Sequence, residues 1–122
     1  MKKIFSLVVI LAAFGASVSA VNPSEYTVFS RLNNESTFNS LARYLNVDYT
    51  QADQLKYVFS LTENKLKTAM KADNEVAAEK ALRFNLGNAK LVLSEEQYKK
   101  YLIVLNVSIY HEREEALLAE NN

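Results

Sequence analysis

Beyond residue 20 the chain holds one glycine, Gly87, one proline, Pro23, and no cysteine. Turns with positive φ draw on glycine, and turns that need a preset φ draw on proline. A chain so poor in both can reverse direction only a few times, through polar joints between long regular elements. Strand-rich folds need many tight turns, so helices are the elements this composition favours. With no disulfide available, stability has to come from packing, within the chain or against a second copy.

Residues 1–20 read as a secretory signal: Lys2 and Lys3 precede an apolar run from Ile4 to Phe14, and small residues end at Val18-Ser19-Ala20. The run is shorter than the ~20 residues that span a bilayer. The expectation is therefore a periplasmic or secreted protein with no membrane span after cleavage, and a single helical domain over 21–122. Cleavage removes two lysines and no acids, leaving 12 basic against 14 acidic side chains, a net charge of −2. Duplex-binding proteins carry a large positive excess, so nucleic acid is not an expected partner.

Along the domain, residues 21–34 read as a loosely ordered leader in which Ser24 is placed to cap a short helix carrying Tyr26, Phe29 and Leu32. Phe38, Leu41, Ala42 and Leu45 then fall on one helical face. From about 49 to 72, Leu55, Val58, Phe59, Thr62, Leu66, Ala69 and Met70 keep a spacing of three and four. Ala72-Asp73-Asn74 is a polar joint. Ala78, Ala81, Leu82, Asn85, Leu86 and Ala89 line the next helix, whose small residues allow a neighbour to approach closely, with Gly87 adding room. Residues 102–110 are β-branched enough to suggest a strand. Helix is the better reading, because Tyr98, Leu102, Leu105 and Ile109 form a stripe and no turn signal interrupts it. Residues 119–122 read as a frayed tail. The expected fold is all-α: a helical hairpin or small bundle of three to four helices.

Two helix starts share one chemistry. Ser94 can accept from the N–H three residues on while Gln97 reaches back, and Asp48 with Gln51 repeats the arrangement. Glu95 and Glu96 place anions in the first turn, where the helix dipole favours them. A second stripe on the last helix, Ile103, Val107 and Tyr110, lies away from the first. One small domain cannot readily cover both, so the pattern predicts a partner, most simply an identical subunit. Phe59 and Phe84 are assigned to the core, whereas Tyr57, Tyr101 and Tyr110 fit either the core edge or a protein-binding or dimer surface.

With Leu45-Asn46-Val47-Asp48-Tyr49-Thr50-Gln51 and Leu93-Ser94-Glu95-Glu96-Gln97, the chain resembles the LTxxQ (Spy/CpxP-like) family of periplasmic helical proteins, in which two Leu-Thr-x-x-Gln motifs open long helices. Asp48 and Ser94 replace the two threonines and keep the capping chemistry. The segment Gln97-Tyr98-Lys99-Lys100-Tyr101-Leu102 is also similar to one in small exported helical proteins of Bacteroidales. The LTxxQ resemblance implies a helical hairpin, often an antiparallel dimer with a curved face that holds unfolded or envelope proteins. Lys56, Lys65, Lys67 and Lys71, with Lys80, Arg83 and Lys90 on the following helix, are the candidate basic face.

One histidine, no cysteine and no Gly-rich phosphate loop leave the nucleophile–base, zinc and nucleotide signatures unmatched. No enzyme and no cofactor are expected. His111 and Glu115, spaced i, i+4, are weak metal candidates, because a tight zinc site takes three or four ligands. The functional expectation is an exported protein-binding module, chaperone-like or dedicated to one partner, with a metal-responsive regulator as a further alternative.

Overall fold

A computed structural model describes residues 23–121. The expected export signal, residues 1–20, lies outside the described residues. Five helices and no strand make up the described chain: α1 Pro23–Leu32, α2 Glu35–Leu45, α3 Tyr49–Lys71, α4 Glu75–Val92 and α5 Glu95–Asn121. The all-α bundle expected from the sequence is what forms. Among the described residues, no helix is long and apolar enough to cross a membrane.

The short helix expected within the 21–34 segment forms as α1, and it is packed into the core where a loosely ordered leader was expected. Pro23 occupies its first position, where the missing N–H costs nothing and the fixed φ suits a helix. Ser24 is therefore inside the helix and does not cap it. Val28, Phe29 and Leu32 bury one face, and Glu25 is buried on the same helix.

The joints are built from polar residues doing what glycine usually does. Asn34 caps α2 by accepting from the Ser36 N–H, and Asn46 ends it in the left-handed region at φ 57°. Asp73 takes φ 50° between α3 and α4, after which Asn74 caps α4 through the Ala77 N–H at 3.0 Å. Asn and Asp tolerate this backbone better than other non-glycine residues. Gly87 has no such task. It faces outward, and a methyl group there would meet nothing within 4 Å, so it does not make room between helices.

α3, 23 residues long, and α4 form an antiparallel hairpin, with α1 packed on α3 and α5, and α2 against α1 and α5. The centre is Phe59, fully buried. Its ring lies edge-on to Phe29 at 6.0 Å and to Phe38 at 5.6 Å, and tilted against Tyr101 at 5.7 Å. Four helices thus meet at one side chain. Phe84, assigned to the core from its spacing, is only half-buried; it sits at the hairpin surface beneath Lys65 Nζ, 4.9 Å from the ring centroid.

Candidate protein-binding surfaces

Both capping boxes form. The Gln51 N–H donates to Asp48 Oδ1 at 2.8 Å and the Asp48 N–H to Gln51 Oε1 at 3.0 Å. The Ser94 N–H donates to Gln97 Oε1 at 2.9 Å and the Gln97 N–H to Ser94 Oγ at 3.2 Å. The two boxes also touch. Gln51 Nε2 donates to Gln97 Oε1 at 2.9 Å and to the Val92 carbonyl at 3.1 Å. Gln97 Nε2 donates to Gln51 Oε1 at 3.4 Å and to the Asn46 carbonyl at 3.0 Å. Each amide thus uses both N–H groups and both lone pairs. The arrangement is reciprocal: each glutamine caps its own helix and holds the turn that precedes the other, 46 residues away.

This clasp is structural, and its coupling is measurable. Gln51→Ala and Gln97→Ala are each expected to cost about 1–2 kcal/mol. The double variant should cost less than the sum by about 0.5 kcal/mol or more, since either change already breaks the amide pair. Chemical denaturation of the four proteins checks this; strictly additive losses would mean the two boxes act separately.

The outer face of α5 presents Ile103, Val107 and Tyr110, joined further along by Leu117 and Leu118, all between 58 and 67% exposed. From Lys100 the positions 103, 107, 110, 114 and 117 alternate steps of three and four, the spacing of a coiled-coil seam. Leu117 and Leu118 are not among the residues singled out from the sequence; the seam spacing from Ile103 onward is the signal that reaches Leu117, with Leu118 beside it. Tyr57 is exposed as well, but on α3.

Tyr101 does not belong to this face. It is fully buried, donates its phenol hydrogen to Asn85 Oδ1, and Asn85 Nδ2 in turn donates to Thr62 Oγ1 at 3.2 Å. Thr62 Oγ1 donates to the Val58 carbonyl at 2.8 Å, so a buried polar chain crosses α5, α4 and α3 with its hydrogen bonds made. Burial pushes the Tyr101 phenol far above its ordinary range, and pushes Tyr98 upward also. A tyrosine held this way cannot meet a partner.

The four lysines of α3 do not form one face. Lys65 lies nine residues beyond Lys56, which is two and a half helical turns at ~3.6 residues per turn and places the two on opposite sides. Lys56 Nζ bonds the Asn33 carbonyl and sits 4.9 Å from the Phe38 centroid. Lys67 and Lys71 are exposed. Lys65 and Lys80 instead share an open groove of about 490 Å³ between α3 and α4. His111 Nε2 lies 3.2 Å from Glu115 Oε1 on the exposed side of α5, and among the described residues no third potential ligand joins them.

Comparison of the chain with protein-family models, with curated proteins and with solved structures finds no match.

Proposed function

We propose that this chain is a non-enzymatic protein-binding module, exported to the periplasm or beyond, that offers the outer face of α5 to another polypeptide. The exposed seam carries this reading: five large apolar side chains lie along one side of α5, and opposite the first three of them the helix is already packed, as far as Glu112. The leader at residues 1–20 supports export. The resemblance at Asp48, Gln51, Ser94 and Gln97 supports a chaperone-like role towards unfolded or envelope proteins; one dedicated partner is the alternative.

A second copy is the first occupant to consider. Two α5 seams laid antiparallel about Val107 bring Lys100 of one chain level with Glu114 of the other. Laid parallel, they set lysine against lysine and glutamate against glutamate, which polar seam positions disfavour.

Light scattering of the chain without residues 1–20 is expected to give a dimer at micromolar concentration. Val107→Lys should give a folded monomer, because the side chain already faces solvent. The wild type is expected to suppress aggregation of denatured clients at several-fold molar excess. A monomer that protects none of several clients and retains no partner in a pull-down would sink the reading. Recovery of a single protein in the pull-down would point to the dedicated-partner form.

A further inference from the structure

We propose that the groove between α3 and α4 is a second binding site, shaped for an extended polypeptide segment that carries apolar and acidic side chains. It rests on the reading of the chain as a binder of polypeptides, though not on the α5 face.

The floor is apolar, made largely by Leu61, Ala69 and Ala81, with Phe84 at one wall. Alanines keep it open where longer residues would fill it. The charge is one-sided. Lys65 and Lys80 stand on opposite helices at the rim, and no carboxylate lines the groove. Neither ammonium is in an ion pair among the described residues; Lys65 is held over the Phe84 ring, 4.9 Å from its centroid. A cation beside apolar surface is less screened than one in bulk water, so a carboxylate that enters gains more there than at an ordinary surface lysine.

Asn64, Thr68 and Asn74 line the same groove. Asn74 uses its Oδ1 to cap α4, which leaves its NH₂ group as a donor. Amides and a hydroxyl spaced along an apolar trough suit a peptide backbone, which presents a donor and an acceptor at every residue. From Leu61 to Ala72 the trough is about 16 Å long at the helical rise, room for about five extended residues. An acyl chain would leave these polar groups unmatched, so a peptide is favoured over an anionic lipid.

The test uses fluorescence anisotropy with a short labelled peptide that alternates leucine or phenylalanine with glutamate, and a counterpart with lysine for glutamate. The wild type is expected to bind the glutamate peptide at least about tenfold more tightly, with affinity falling as salt rises. Lys65→Glu with Lys80→Glu should reverse that preference. Both lysines are exposed, so the fold should survive, which circular dichroism checks. Equal binding of the two peptides, indifference to the lysine reversals, or preference for vesicles rich in anionic phospholipid would overturn the proposal. If the peptide does not bind while a Val107-sensitive client still does, the groove falls and the protein-binding reading stands. If neither binds, both fall.

Discussion

Phe59→Ala is expected to remove roughly 4 kcal/mol of stability, among the largest losses of any single truncation in the bundle. The side chain is fully buried. Its deletion opens a cavity bounded by Phe29, Phe38 and Tyr101, the rings of three other helices at 5.6–6.0 Å. Those neighbours cannot all collapse inward without moving the helices that carry them, so little of the cavity closes. The ring pairs add roughly 0.5–1.5 kcal/mol each beyond the area buried. A domain of this size has about 5–15 kcal/mol in all, and each kcal/mol moves the melting temperature by about 4–8 °C. Thermal melts followed by circular dichroism should therefore show a fall of about 15–30 °C, if the variant folds at all. Phe84→Ala, half-buried under Lys65, is the control and should cost about 1 kcal/mol. Equal losses at the two positions would mean that Phe59 is not the centre of the core.

The helical faces were legible because they depend on local spacing. The α3 stripe from Leu55 to Ala69 and the α4 stripe from Ala78 to Ala89 are the buried residues of those helices. Each side chain needs only to know where its own helix points. What depends on a second helix was harder to see. Tyr101 keeps the spacing of the buried stripe, three beyond Tyr98 and four before Leu105, yet its residue type left it open between the core edge and a binding surface. Its hydroxyl argued for the surface, and the partner that satisfies the hydroxyl, Asn85, lies on α4. The two glutamine caps were each visible as helix starts, yet nothing local says that Gln51 and Gln97 meet.

The same reasoning separates the surfaces. The α5 seam was partly visible, since Ile103, Val107 and Tyr110 repeat along one helix. The groove was not. Lys65 and Lys80 belong to different helices, and Lys65 had been grouped with Lys56, from which half a turn divides it. Residues 23–32 were legible as a short helix carrying Phe29 and Leu32, but not as an ordered part of the core: a ten-residue helix has few stripe positions, and its anchor lies at the far end of the chain.

That anchor is the pair of Glu25 and Arg113, whose Nη2 reaches Glu25 Oε1 at 2.8 Å across α1 and α5. Glu25→Ala is expected to cost about 3 kcal/mol, since it takes the Glu25 carboxylate from the largely buried Arg113 guanidinium and loosens α1 from α5. The nearby contact of Arg31 with Glu112 at 3.1 Å has one exposed partner and should contribute about 1 kcal/mol or less. Breaking the buried pair and replacing it are different experiments. Burial raises the Glu25 carboxyl above its ordinary value near 4.5, outweighing the downward pull of Arg113. The folded chain therefore keeps this proton to a higher pH than the unfolded chain does. The part of the stability that is linked to this proton is fully present below about pH 4.5 and is lost as pH rises through the raised folded value. Neutral side chains of similar volume carry no such desolvation penalty at neutral pH. Glu25→Leu combined with Arg113→Met should recover most of the single-variant loss at pH 7, and denaturation of wild type and double variant across pH checks the linkage. The difference between wild type and double variant should shift in favour of the variant as pH rises from about 4.5. A double variant as unstable as Glu25→Ala would show that the charges themselves, rather than the burial of α1 against α5, hold the two helices together.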